Sequence, residues 1–283
     1  MTVNVGDRVK HPTLHEQWGP GEVLAISPDG KLTVLFALAG QKVVKGVKFE
    51  KLEGDDGAHP LLDHRKPATK GKRKTRPLAS MRESFLRLFP GGFSDPKYLS
   101  EERDYKLEAG AKLQKTLGSA EFQELLRDQA FSEISKRALS VVNATNLVFP
   151  NEKMSLKDGV REAAGQKLFA QHLGELLYGS GDYRPRFEGF VDALEQIGAN
   201  KWPVATYFSF IAFPDEHMFL KPDVTKRAAE ACNFELNYRV ELNWWTYESL
   251  LRFTATLEEL IGDLEPRDNI DMQSFIFCIG ERV

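Results

Sequence analysis

The chain is short of cysteine, of long apolar runs and of net charge, and each shortage closes off a class of protein. Two cysteines in 283 residues, Cys232 and Cys278, cannot build a disulfide framework. Both sit in apolar surroundings, so the expectation is a pair of buried free thiols, as suits a reducing cytoplasm. No Cys/His spacing resembles a zinc site, and nothing in the sequence points to a metal or a cofactor. No stretch approaches the roughly 18 uncharged apolar residues of a membrane span, and the N-terminus lacks the apolar segment of a signal peptide. The expectation is a cytoplasmic protein with no membrane partner. A net charge of −3 gives no chain-wide basic field, so any nucleic-acid footprint has to be local.

What is present is a globular composition, 42% hydrophobic, with 19 Phe to fill an aromatic core. Val3 to about Leu52 reads as short strands. Trp18-Gly-Pro-Gly marks a tight turn, Glu22-Val-Leu-Ala-Ile a strand, Ser27-Pro-Asp-Gly a hairpin turn and Lys31-Leu-Thr-Val-Leu-Phe its partner. Strands this short bury their apolar faces by curling into a small barrel.

Gly6-Asp-Arg-Val-Lys-His, Gly19-Pro-Gly-Glu-Val-Leu and Lys31-Leu-Thr-Val-Leu-Phe-Ala-Leu-Ala-Gly-Gln-Lys-Val-Val cover most of this segment. They resemble the Tudor-like (SH3-like) module at the C-terminus of UvrD-type helicases. That resemblance implies a β-barrel that docks on a protein partner such as RNA polymerase or assists DNA engagement. It implies recruitment, not chemistry.

Glu53 to Ser80 reads as a linker, with glycines and prolines and a dense basic cluster around Lys72, Arg73 and Lys74. Two readings stand: a basic tether that contacts DNA phosphates without reading sequence, or a solvated linker whose charge has no partner. From Met81 onward the periodicity is helical. Helices are expected from Glu101 to Leu117, with Tyr105, Leu107, Ala109, Leu113 and Leu117 facing inward, and from Phe131 to about Val142. Asn143 to Asn151 reads as irregular, and Leu156 to Tyr178 as one long helix. The domains expected are therefore 1–52, a linker over 53–80, and 81–283.

One stretch concentrates candidate chemistry. Ile197-Gly-Ala-Asn-Lys-Trp-Pro reads as a helix end, a glycine turn and a new helix with proline in its first turn. Breaks at Phe213-Pro214 and Lys221-Pro222 then frame a loop carrying Asp215, His217 and Lys221, with Asp223 just beyond. The order of elements from Phe187 to Gly280 is similar to the second half of the helix-hairpin-helix DNA glycosylase superfamily. Gly198-Ala-Asn-Lys-Trp falls where alkyladenine-type members carry Gly-Ile-Gly-Pro-Trp, with Asn200 replacing the second glycine, and Val224 and Arg227 match the helix after the catalytic loop.

The resemblance implies that Gly198, Asn200 and Lys201 hold a DNA phosphate, as helix N-termini do. It implies a flipped base, and Tyr238 and Trp244 either stack on that base or instead belong to the core. It puts Asn146 where family members enter the duplex, the alternative being an ordinary helix connection. The catalytic position departs from the family, because counting back from Val224 and Arg227 puts Lys221 where an aspartate is expected. Three alternatives follow. Lys221 is a Schiff-base nucleophile, Asp223 takes the carboxylate role in a shifted register, or neither acts.

The expectation is thus an α+β protein in two domains, a small SH3/Tudor-like β-barrel followed by an all-α helix-hairpin-helix glycosylase-like domain. The implied function is excision of a modified or damaged base from duplex DNA, in repair or in antiviral defence against phage DNA. The alternative is a DNA-binding adaptor without enzymatic activity.

Overall fold

The structure, a computed structural model, describes residues 3–27, 29–63 and 78–281. The basic cluster with Lys72, Arg73 and Lys74 lies outside the described residues. An antiparallel sheet comes first and helices follow, an α+β arrangement. Two compact units divide the chain: Met1–Pro90 with Lys226–Leu236 and Ile276–Val283, and Gly91–Thr225 with Asn237–Phe275.

In the first unit, β1 (Arg8–Lys10), β2 (Gly21–Ile26), β3 (Lys31–Phe36), β4 (Gly40–Lys45) and β5 (Glu50–Lys51) form one five-stranded sheet in the order β4-β3-β2-β1-β5. Alternation along β3 gives the sheet two apolar faces. Val34 and Phe36 pack with Val9, Val23 and Phe49, while Leu35 and Ala37 pack with Leu24 and Leu62. A register shift between Val23 and Ala25 bends β2 between its two neighbours.

The sheet is open, which corrects the expected closed barrel. β4 and β5 are its edges, and β5 is only two residues long, too short to bond β1 and β4 together. The segment expected to begin a linker is structured at its start, with a 3₁₀ turn at Gly54–Gly57 and a one-turn helix at Pro60–Asp63. Arg8 ties it to the sheet, donating to the Gly57 carbonyl at 3.2 Å and pairing with Asp63 at 2.9 Å. Both cysteines are buried and neither is in a disulfide.

In the second unit the Asp104–Leu117, Phe131–Val142, Ala163–Tyr178, Tyr183–Gln196, Trp202–Ala212 and Trp244–Leu260 helices supply most of the core. The inward face of the first of these differs from expectation. A single π turn at Leu99–Arg103 adds a residue to the helical count. Behind it Lys106 is 1% exposed and Leu107 is 43% exposed. The buried ammonium is satisfied by Gln273 Oε1 at 2.6 Å and Ser274 Oγ at 2.9 Å, with Glu102 at 3.4 Å. The expected 156–178 helix is also two helices, Pro150–Gly159 and Ala163–Tyr178.

Candidate functional site

The Tyr183–Gln196 helix ends in a glycine cap. Gly198 has φ +71°, its N–H donates to the Glu195 carbonyl at 3.0 Å, and the Ala199 N–H reaches back to Leu194 at 2.8 Å. This reversal lets the Trp202–Ala212 helix start almost at once, with no side chain capping its first turn. Ala199 and Trp202 are buried and anchor the turn, whereas Gly198, Asn200 and Lys201 are exposed. Trp202 Nε1 donates to the Arg239 carbonyl at 2.9 Å, and Tyr238, half-buried, lies with its ring 6.5 Å from that of Trp202. The hairpin thus has a fixed base and a solvent-facing tip.

The chain leaves the Trp202–Ala212 helix at Phe213 and returns through a loop whose residues Met218, Phe219 and Leu220 are buried. Buried loop backbone needs partners. The Leu220 N–H donates to Thr206 Oγ1 at 3.0 Å, which fastens the loop to the hairpin helix one residue before Lys221.

Lys221 is half-buried, and its Nζ stands 4.5 Å from the centre of the Phe149 ring. Phe149 is 50% exposed despite its size. One turn along, Glu152 accepts the Phe149 backbone N–H at 2.8 Å, closing the start of the Pro150–Gly159 helix. Burial pushes the Glu152 carboxyl up, against the opposing pull of the Phe149 N–H and of the charges on Lys221 and Lys201. One carboxyl therefore feels both the lysine of the hairpin and the lysine of the loop. The far end of the same helix meets the hairpin itself, since a Cβ on Gly159 would come 2.5 Å from the Ile197 carbonyl oxygen.

The other residues singled out from sequence fall as follows. Asp223 is exposed in the first turn of the Pro222–Ala231 helix. Asn146 is exposed, held out by buried Thr145, whose hydroxyl bonds Tyr207 at 3.1 Å, and by buried Leu147. Trp244 packs against Phe187 at 6.0 Å and Tyr247 at 5.7 Å, while its neighbour Trp245 is 64% exposed. His217 is buried, stacked on Tyr183 at 4.0 Å with Tyr247 Oη 3.4 Å from Nδ1, and burial with the Arg186 charge pushes its pKa down to about 4. Arg227 donates to the Gly280 carbonyl at 2.6 Å. Glu152 and Phe149 were not picked out in advance, and Phe-Pro-Asn-Glu offered only an ordinary helix-start signal.

Among the described residues no cluster of three His, Cys, Asp or Glu could hold a metal ion, and no helix is long and apolar enough to cross a membrane. What the arrangement offers chemically is an exposed hairpin for an anion, two amines, one partly desolvated carboxyl and a half-exposed aromatic ring.

Residues 3–51 match a family described as protein of unknown function (DUF3553). No curated protein and no solved structure matches the chain.

Proposed function

We propose that the chain binds duplex DNA through the Gly198 hairpin and cleaves the N-glycosidic bond of a flipped, modified base beside Lys221. The observation that carries this reading is the Lys221 ammonium 4.5 Å from the ring of half-exposed Phe149, beside a Glu152 carboxyl that feels the charges of Lys221 and Lys201. Exposed Asn200 and Lys201, at the start of the Trp202–Ala212 helix, hold a phosphate, and Phe149 gives an extruded base an aromatic face. Glu152 takes the part of the catalytic carboxylate in place of Asp223, which is exposed.

In the Schiff-base version, Lys221 gives up a proton to Glu152 and its free amine attacks C1′. The C1′–N bond to the base breaks, the electron pair leaves with the base, and Glu152 returns the proton to it. The second lysine proton passes to O4′ as the C1′–O4′ bond breaks and the nitrogen lone pair forms C=N. This gives a protonated imine that water hydrolyses to free Lys221 and the open-chain aldehyde. In the hydrolytic version the C1′–N bond breaks and its electron pair leaves with the base, while ionised Glu152 stabilises the positive charge at C1′. Attacking water then forms the C1′–O bond and gives up a proton that Glu152 passes to the base. The substrate class that suits so altered a catalytic position is a modified base, as in phage DNA, and the setting is repair or antiviral defence.

The test is incubation with duplexes carrying a panel of modified bases, followed by alkali. Strand breaks at a modified position, abolished by Glu152→Gln, are expected. A panel that never yields an abasic site refutes the enzymatic reading. Borohydride trapping, lost in Lys221→Ala and retained in Asp223→Asn, selects the Schiff-base version over the hydrolytic one.

The open edge of β4, with Val43 exposed, favours a second reading in which the sheet recruits a protein. The strand order with its bent β2 supports an SH3-like module, and RNA polymerase is the partner to try. DNA binding with no abasic product, together with polymerase capture that Val43→Glu abolishes, would select this adaptor reading.

A further inference from the structure

None of the residues around one cation-lined cavity of the second unit belongs to the Lys221–Glu152 site. This cavity, about 570 Å³, is lined from the Asp104–Leu117, Phe131–Val142, Pro150–Gly159 and Ala163–Tyr178 helices. Lys112, Lys136, Lys157 and Arg161 stand in its lining, which contains no carboxylate. The cations differ in how far they are already engaged. Lys112 donates to the Ser140 carbonyl at 2.9 Å, Lys136 lies 3.9 Å from Glu133, and Arg161 pairs with Asp158. Lys157, exposed, has no ion pair among the described residues. Ser135 also lines the cavity. It is 2% exposed, and its hydroxyl has no hydrogen-bond partner among the described residues.

A buried hydroxyl without a partner is uncommon and calls for an explanation. Lysine and arginine ammonium and guanidinium groups around neutral hydroxyl donors, with no competing carboxylate in the wall, form a set suited to phosphate oxygens. The volume falls within the roughly 300–1,000 Å³ of small-ligand sites and would be mostly empty around a bare phosphate.

We infer that this cavity binds a phosphorylated small molecule of nucleotide size, with its phosphate among Lys157, Lys136 and the Ser135 hydroxyl. The inference is independent of glycosylase activity. A phosphate of this kind could also belong to a DNA backbone, and the two sources are separable by experiment.

Calorimetric titration of the full chain with ADP, AMP, pyrophosphate and adenosine is the test. Saturable one-to-one binding of ADP is expected, with none of adenosine. Replacing exposed Lys136 and Lys157 together by alanine should weaken ADP at least tenfold. Ser135→Ala should weaken it severalfold with no loss of thermal stability, since the hydroxyl has no intramolecular bond to lose. Lys221→Ala should leave ADP binding unchanged. In a second arm a 12-base-pair duplex competes with ADP. Displacement that the double substitution relieves identifies the DNA backbone as the source of the phosphate. No saturable heat from any phosphate at millimolar concentration, or ADP binding indifferent to the double substitution, overturns the inference.

Discussion

Tyr98 donates its hydroxyl to Asp271 Oδ1 at 2.5 Å, inside the helical unit and from the far side of the sequence. Arg103 donates to the same oxygen at 2.8 Å and to Asp268, and Arg267 donates to the other oxygen of Asp271 at 2.8 Å. Asp271 is fully buried, and without these partners a carboxylate there would be untenable.

Asp271→Asn keeps the shape and removes the charge. It leaves the buried Arg103 guanidinium with one carboxylate fewer, and breaking such a pair costs about 3–5 kcal/mol. Urea unfolding should show a loss of that order. Tyr98→Phe removes one hydrogen bond to a charged group and should cost about 1.5–3 kcal/mol. Equal, sub-kilocalorie losses in both variants would show that the network does not hold the unit together.

Protonation adds a second handle. Burial pushes the Asp271 carboxyl up, but hydrogen bonds from Arg267 and Tyr98 and the Arg103 charge outweigh it and hold the group below its ordinary value. Its contribution is present above the unfolded carboxyl's pKa, near 4, and disappears as pH falls through the lower folded value. Asp271→Asn should therefore have a flatter stability profile than the parent below pH 4.

His217 acts over a different interval. Its folded pKa is pushed down to about 4 by burial and by Arg186, against about 6.5 in the unfolded chain. The neutral ring's contribution is intact above pH 6.5 and is lost progressively as pH falls to about 4. The whole loss is roughly 3 kcal/mol. His217→Asn should cost stability at pH 7.5 and show a shallower decline between pH 6.5 and 4.5. Parallel declines in the two proteins would contradict the assignment.

At the hairpin, a Cβ on Gly198 would meet nothing within 4 Å, so Gly198→Ala tests the backbone alone. A left-handed alanine costs about 1–2 kcal/mol, which in a unit of this size lowers Tm by about 2–8 °C. Gly198→Asn should cost less, because asparagine tolerates that conformation. DNA affinity, on the proposed reading, should fall further in Gly198→Ala than in a surface variant of equal stability.

Local chemistry made much of this legible. The Phe131–Val142 helix, β3 and the Trp202 start of the hairpin helix follow from apolar spacing, a turn glycine and a proline. Contacts between distant segments were not legible. Leu107 looks like core by periodicity, yet the helix buries Lys106 with Ala109, Leu113 and Leu117, and the polar partners Gln273 and Ser274 satisfy the ammonium there. Leu107→Gln should accordingly be nearly neutral in urea unfolding. The break at Val160–Glu162 lacks a proline and coincides with Gly159 abutting Ile197. Open sheet edges depend on strand length and pairing, which alternation does not encode. At the site, Lys221 and the hairpin were found from their own neighbourhoods. Glu152 was not, because its significance comes entirely from lysines far along the chain.

Arg103 and Asp268 are 165 residues apart in sequence. On a ribosome adding roughly 5–20 residues each second, the arginine waits on the order of ten to thirty seconds for its carboxylates to be synthesised. Throughout that interval the early helices hold a cation meant for the interior with nothing to neutralise it. The helical unit cannot close as its first half emerges, and its final assembly waits until Asp268 and Asp271 have been added. A nascent chain stalled before Asp268 should remain open to protease across Leu99–Leu117, and release past Asp271 should protect it.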